Sequence, residues 1–469
     1  MIIFYIILVL GVSTIFWSSV GLLRAGLERS TGVADWLGMV LARMPFRRGE
    51  HEKDRHKILE RWAQNAGPMH RATTPRIVPS RVAVIIAAHN EALVISDTIR
   101  TVSMLVPHKN IHIISDKSTD ATAAIARGVG VNVLELDPNR GKAGALAAGI
   151  EHFKLCDRFD AVMLLDADTQ PAADYLETGL PLFDDPEVAA VAGRAKSIMD
   201  PPAPTWFGRF LVYYRERLYV AVQLMLKYGQ AARAANVVSI VPGFASMYRT
   251  SALRHINILA PGLVIEDFNM TFEIHAKQLG RIAFHPQAAI AYTQDPDTFT
   301  DYSKQVHRWI LGFWQTVRRH KVRFSRFWLV MGLHILELVF SSIFFVFLIP
   351  LFLLSMVSAL MVSQGDLSPE VVFLSGLLRP QDLLIGVFIP DFILTLLATI
   401  SVRKPLYLLM APFFPFMRIV DAYICLRALP KAFSSKSTGV WVSPQRRAQS
   451  VPPGITVTDS LKSKTPMGA

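Results

Sequence analysis

Hydropathy along this chain is segregated rather than mixed. Residues 2–23 carry no charged side chain, and long apolar runs return at roughly 329–361, 382–401 and 405–429. Runs of this length can cross a hydrocarbon layer about 30 Å thick, where every backbone N–H and C=O must be satisfied within its own helix. The pattern predicts membrane helices toward both ends and a folded polar domain between them. Composition agrees: 51% of the 469 residues are hydrophobic and only 18% are charged.

The net charge of +12 has to be placed before it is interpreted. Much of it lies between Arg24 and Arg81, including Arg43, Arg47, Arg48, Lys53, Arg55, Lys57 and Arg61. Such a cluster just after an apolar run matches a cytoplasmic flank, with the amino terminus outside, and not a nucleic-acid groove. No basic stretch precedes the run, so a retained anchor is expected rather than a cleaved signal peptide. Two cysteines, Cys156 and Cys425, leave no room for a disulfide framework.

Between Arg81 and about Ala291 short apolar strands alternate with helices. Val82–Ala87, Ile111–Ser115, Val131–Leu136 and Ala161–Leu165 read as strands; Ser96–Met104, Asp120–Gly128 and Ala143–Phe153 read as helices. This alternation predicts an α/β domain with a doubly wound sheet. In such sheets ligands bind at the carboxyl ends of the strands. There the sequence places acids: Asp116 after one strand, Asp166 and Asp168 after another. Glu266 and Asp267 follow Gly262–Ile265 and open a helix, Phe268–Leu279. Singly, each acid is more often a loop or cap residue. Together they describe one cleft, in which Asp166 and Asp168 suit a hard divalent cation and a diphosphate, with a separate base.

Other motifs fail on inspection. Gly141-Lys142 lacks the earlier glycine and the following Ser or Thr of a phosphate loop, having Leu136 and Ala143 instead. His108 and His112 lack the intervening Glu of a zinc protease and read as surface residues. Residues 301–326 set Trp309, Phe313, Trp314 and Val317 among Arg308, Arg318, Arg319, Lys321 and Arg323, the pattern of an amphipathic helix at a membrane surface. Asp391 and Arg418 fall near mid-span and are either a pair or part of a polar pathway, unless the span limits are misplaced. The first C-terminal run exceeds one span, so it either begins interfacially or bends at Pro350. The tail 431–469 has six basic residues and one acidic, which conflicts with the side assigned by counting spans. Pro412 and Pro415 leave open whether 405–429 crosses fully.

The ordered set of motifs resembles the membrane-embedded family-2 glycosyltransferases of GT-A fold: the cellulose, chitin, hyaluronan and poly-N-acetylglucosamine synthases. Ala87-Ala-His-Asn-Glu91 is similar to the first nucleotide-binding loop. Asp116-Lys-Ser-Thr-Asp120 resembles the loop whose Asp contacts the base, and Arg140-Gly-Lys-Ala-Gly-Ala-Leu146 the segment whose Lys approaches the donor. Asp166-Ala-Asp168 resembles the metal and diphosphate motif. Pro242-Gly-Phe-Ala-Ser-Met-Tyr-Arg249 resembles the acceptor-side loop, Glu266-Asp267 the base motif, and Gln305-Val-His-Arg-Trp309 the interfacial Gln-x-x-Arg-Trp. Trp441-Val-Ser-Pro444 resembles the tail of poly-N-acetylglucosamine-type members. Departures are Ser115 and Lys117 around Asp116, His307 within the interfacial motif, and a single leading span.

The resemblance implies an inverting, metal-dependent transferase of a nucleotide-activated sugar, with UDP the expected nucleotide. Asp267, with Glu266 beside it, would act as base. Glu91, Asp116, Lys142, Asp166 and Arg308 would bind the donor, and Asp168 with Asp166 would hold Mg²⁺ or Mn²⁺. Gln305, Trp309, Gly243 and Phe244 would meet the acceptor. It implies a transmembrane helix at 1–24, a basic juxtamembrane segment at 25–80, the GT-A domain at 81–300, an interfacial helix at 301–326, about three transmembrane helices at 327–430 and a basic tail at 431–469. Expected partners are the donor, a growing glycan or lipid-linked acceptor, membrane lipids and accessory export subunits, with no nucleic acid. The expected location is the plasma (inner) membrane with the catalytic domain cytoplasmic. No domain for cyclic-dinucleotide control is expected after the last span. Rival readings are transfer of a single sugar to a lipid carrier, and a non-enzymatic regulatory sugar-nucleotide site.

Overall fold

The computed structural model describes residues 2–29, 76–365 and 368–434. The basic segment from Arg43 to Arg61 and the tail containing Trp441–Pro444 lie outside the described residues.

In chain order the strands are β1 Val82–Ala88, β2 Ile111–Asp116, β3 Asn132–Leu136, β4 Ala161–Asp166, β5 Gln170–Pro171, β6 Val188–Ala192, β7 Arg194–Ser197, β8 Ala245–Arg249, β9 Arg281–Ala283 and β10 Ile290–Thr293. The main sheet runs β3-β2-β1-β4-β8-β6-β9, and a small second sheet runs β5-β10-β7. β3, β2, β1 and β4 are mutually parallel. β8 is antiparallel to both β4 and β6, so the sheet is mixed beyond β4.

All seven residues of β1 are buried, which explains its unbroken apolar sequence: a strand covered on both faces has no polar side to alternate with. Its odd and even positions enter two different cores. Val82, Val84, Ile86 and Ala88 pack with Ile95, Ile99 and Val102 of one covering helix, Ile95–Ser103. Ala83, Ile85 and Ala87 pack with Ala145 and Leu146 of another, Gly141–His152. That helix lies tight on the sheet, since a Cβ at Gly149 would sit 2.4 Å from Ile114 Cδ1. The doubly wound expectation is met on this half of the sheet. One histidine departs from it: only His108 is on the surface, while His112 is fully buried in β2, its ring 4.7 Å from that of Phe153. Burial pushes the His112 imidazole down to about 4, so it stays neutral in the core.

The amphipathic helix spans Phe299–Arg319, with Thr298 Oγ1 accepting from Asp301 N at its start. Phe313 and Trp314 face inward against Phe272, Trp328 and Cys425, whereas Arg319, Lys321 and Arg323 are exposed. Three helical segments follow that are long and apolar enough to cross a membrane: Arg326–Ser363, Pro369–Ser401 and Leu406–Ser434. The first is one continuous helix through Pro350.

The amino-terminal run, where a transmembrane helix at 1–24 is expected, is not a single straight helix. It forms two helices, Ile2–Leu10 and Val12–Arg29, bent by 73°. Gly11 at φ +82 supplies the left-handed turn that a side chain would resist. Charged groups take up backbone atoms freed at the break: Glu337 Oε1 accepts from Ser13 N at 2.8 Å, and Arg418 Nη2 donates to Val9 O at 2.6 Å. Arg418 also lies 3.6 Å from Asp391, which is hydrogen-bonded by Arg217 from the polar domain. The mid-span pair read from the sequence therefore exists, with a third member.

Candidate active site

Strand order places the functional side chains. β1 and β4 are parallel neighbours with Ala87 opposite Asp166, so the loops after both strands open on one edge. β8 runs antiparallel, which brings the residues just before it to that same edge. Asp166 N donates to Phe244 O at 2.9 Å, tying Pro242-Gly243-Phe244 to the end of β4. The Gly141–His152 helix starts beside it with Lys142 in its first turn, and the Asp267–Ala276 helix opens behind Glu266.

Lys142 is the hub. Its Nζ lies 2.6 Å from Asp166 Oδ1, 2.9 Å from Glu266 Oε1 and 3.4 Å from Gly243 O. Burial works against its charge, yet the carboxylates of Asp166 and Glu266 hold the ammonium protonated, well above the ordinary lysine range. Asp267 Oδ1 accepts from Phe268 N at 2.7 Å and Oδ2 from Gly243 N at 3.4 Å. Burial, followed by the neighbouring Glu266 charge, raises the Asp267 carboxyl to about 6. That value is where a base working near neutrality is useful.

One cavity of about 1010 Å³ is lined by Lys142, Asp166, Asp168, Gly243, Phe244, Glu266, Asp267, Gln305, Arg308 and Trp309. It continues past the amphipathic helix to Ser341, Ser342, Phe345, Arg418, Asp421 and Cys425 on the apolar helices. Arg308 Nε is buried and has no hydrogen-bond partner among the described residues. Two residues expected at the site do not line this cavity. Glu91 is buried in the loop after β1, its N–H on Thr122 Oγ1 at 2.9 Å. Asp116 is fully buried, with Oδ1 accepting from Arg140 N at 2.7 Å and Oδ2 left without a partner. Burial pushes the Asp116 carboxyl up against that bond.

Sequence reasoning missed a buried polar group beside Gln305 and Trp309. Arg215, in the Trp206–Val220 helix, donates from Nη2 to Gln305 Oε1 at 2.8 Å. Its guanidinium lies over the Trp309 ring, 4.1 Å from the centroid. Asp295 holds Arg215 at 3.5 Å and itself accepts from Tyr219 Oη and Ser197 Oγ. The available signal was local: Arg215-Glu-Arg217 puts three consecutive charges into a mainly apolar, aromatic helix, and charges buried there need partners.

For a divalent ion, Asp166 and Asp168 offer an oxygen-only donor set on one wall of the cavity. Among the described residues no group of three or more His, Cys, Asp or Glu could hold a metal. An ion here would need oxygens from the donor to complete its shell, and Lys142 on Asp166 shows that positive charge is accommodated at that carboxylate.

Residues 161–363 match the family model described as glycosyl transferase family group 2. Curated relatives are poly-β-1,6-N-acetyl-D-glucosamine synthases. That of Staphylococcus epidermidis is 26% identical over 260 residues, 51% of this chain and 58% of the relative. That of Staphylococcus aureus is 28% identical over 239 residues, 49% of this chain and 54% of the relative. The chain thus spans a little over half the length of the curated relatives it matches. Among solved structures, a mannosyltransferase from Pyrobaculum calidifontis in complex with GDP-Man and Mn²⁺ aligns with 83% of this chain and 98% of its own, at 16% identity and a TM-score of 0.44. Residues 161–363 thus resemble glycosyl transferase family group 2, and the α/β sheet domain is followed by helices long and apolar enough to cross a membrane.

Proposed function

We propose that the chain transfers N-acetylglucosamine from a nucleoside diphosphate, UDP in our reading, onto a growing β-linked glycan, and passes that glycan between its apolar helices. The observation that carries this is the continuity of one cavity. It runs from the Asp166–Lys142–Asp168 wall, past Asp267, to Trp309 and on to Ser341 and Arg418. The similarity to the poly-β-1,6-N-acetyl-D-glucosamine synthases supports the choice of sugar. In this arrangement the catalytic domain is cytoplasmic and the helices cross the plasma membrane.

The chemistry needs four things: hold the diphosphate, neutralise it as it leaves, take a proton from the acceptor hydroxyl, and orient that hydroxyl. Arg308, with its unsatisfied Nε, and Lys142 supply positive charge for the diphosphate. Asp116 is shut off from this cavity by its burial, so contact between its carboxylate and a nucleobase would need the Arg140 backbone that hydrogen-bonds it to move. A divalent ion on Asp166 and Asp168 would add Lewis-acid stabilisation of the departing diphosphate. Asp267 accepts the acceptor's proton, while Glu266 is committed to Lys142. With one free base and no second carboxylate poised as nucleophile, the product is inverted. Arg215 covers one face of Trp309, so an acceptor ring stacks on the other.

The test is nucleoside-diphosphate release by the purified full-length protein in detergent, across a panel of sugar nucleotides with Mn²⁺ or Mg²⁺, with product sizing. Release selective for one N-acetylhexosamine donor, and a polymer ladder, are expected. One discrete glycolipid would favour single transfer to a lipid carrier, and binding without release would favour the regulatory reading.

A further inference from the structure

The helix that carries Arg215 continues as an unusual element. After Trp206–Val220 the chain forms a seven-residue π-helix, Ala221–Lys227, then a final turn through Gln230. π-Helical segments are rare and concentrate at functional sites. This one is locked onto the second sheet: Gln223 Oε1 accepts from Ala195 N at 2.8 Å, and Nε2 donates to Ala195 O at 3.1 Å. Its last residue, Lys227, lines the cavity and is only 3% exposed.

Lys227 differs from Lys142, which lines the same cavity. Among the described residues no carboxylate stands within ion-pair distance of its ammonium, and the only opposing charge acting on it is that of Asp267. Its Nζ stands 5.4 Å from the Phe284 ring centroid. Burial, only partly offset by Asp267, lowers the ammonium to about 8. A buried ammonium set against an aromatic face still needs an oxygen for its N–H donors, which a ligand in the cavity can supply. The position identifies the ligand: Lys227 lines the cavity, and Asp267, the proposed base, is the carboxylate whose charge reaches it, so Lys227 belongs to the side where the acceptor hydroxyl is deprotonated. A phosphate on Lys227 would add negative charge beside Asp267 and hold that base protonated, whereas a neutral sugar oxygen leaves it free to ionise.

We propose that Lys227 binds the acceptor glycan, its ammonium donating to a hydroxyl or carbonyl oxygen of the sugar whose attacking hydroxyl stands beside Asp267. This rests on the glycosyltransferase reading above.

The experiment compares wild-type full-length protein with Lys227→Met and Lys227→Arg, using N-acetylglucosamine oligosaccharides as acceptor. For Lys227→Met the acceptor KM rises about 10- to 100-fold, the loss expected for a hydrogen bond to a charged group, while the donor KM stays within about threefold. Lys227→Arg recovers much of the loss. An unchanged acceptor KM overturns the proposal. So does a parallel rise in both KM values with a lowered Tm, which would mark Lys227 as structural. A rise seen only with a polyprenyl phosphate acceptor also overturns it, in favour of a phosphate site. Oligosaccharide binding followed by tryptophan fluorescence decides the matter without turnover. Weaker binding in Lys227→Met supports the proposal even if no donor is turned over, a result that would instead defeat the glycosyltransferase reading.

Discussion

Arg215 lies against the indole of Trp309, its guanidinium carbon 4.1 Å from the ring centroid, while hydrogen-bonding Gln305 one helical turn earlier. Two members of the interfacial Gln-x-x-Arg-Trp segment are thus set by one arginine from a helix 90 residues upstream. Arg215 is 2% exposed and Asp295 is its counter-ion. Removing one partner of a buried pair costs about 3–5 kcal/mol, because the other charge is left behind. Arg215→Met should therefore lower Tm and raise the acceptor KM. Arg215→Met with Asp295→Asn should restore most of the Tm but leave the acceptor KM high. Thermal unfolding and acceptor titration on the same samples separate the two effects. If the acceptor KM recovered along with Tm, Arg215 would have no part in orienting Trp309.

Asp267 predicts the pH dependence. Its carboxyl titrates at about 6 in the folded protein, above the ordinary aspartate range of about 4. A base must be ionised, so transfer should rise about tenfold per pH unit below 6 and level off above about 7. Stability runs the other way. Because the fold binds this proton more tightly than the unfolded chain does, its contribution is fully present below about pH 4 and is lost as pH rises through 6. Asp267→Asn should cut transfer by about 10²- to 10⁴-fold. It should also flatten the acid limb, and leave Tm at pH 8 equal to or above wild type. A mutant that kept the wild-type acid limb would place the base elsewhere.

The two sources of structure differed in how visible they were. Strand positions in the first half of the sheet were legible because β1 and β4 are buried on both faces and so are written as continuous apolar runs, with β2 interrupted only by His112 before its polar end. The carboxylates at their ends were legible because topology fixes where such ends point. Arg215, Asp295 and Lys227 were not, because their role depends on a helix packing against residues 40 to 90 positions away, and no local period encodes that. The bend at Gly11 was hidden for the same reason: residues 2–23 satisfy every criterion for a straight span, and the break is held by Glu337 and Arg418 from far along the chain.

Metal dependence is checked at Asp168. Chelation should abolish nucleoside-diphosphate release, with recovery on adding Mn²⁺ or Mg²⁺. Asp168→Asn should raise the metal concentration needed for half-activity, since one of two protein carboxylates on the ion is lost. Lys142→Met should act differently. It removes the charge shared by Asp166 and Glu266, so release should fall with metal saturated, by about 10²-fold, the scale of losing one preorganised electrostatic contact. Full activity in metal-free buffer would exclude the Asp166–Asp168 assignment.

The amino-terminal helix sets the π-helical segment from behind, and a glycine makes this possible. Arg24 Nη1 donates to Tyr228 O at 2.9 Å, Ser18 Oγ to Met225 O at 3.2 Å, and Tyr228 Oη to Glu28 Oε2 at 2.7 Å. At Gly229 the two backbones come so close that a Cβ would lie 2.1 Å from Trp17 O, and a carbonyl on a packed helix cannot step aside. Gly229→Ala should push the helices apart at a cost of about 1–3 kcal/mol, typical of overpacking. Since Lys227 lies two residues away, the acceptor KM should rise with the loss of Tm. Gly26→Ala, on the same amino-terminal helix but with nothing within 4 Å of the added carbon, is the control and should leave Tm and transfer unchanged. Equal behaviour of the two variants would mean that this docking does not hold the acceptor wall in place.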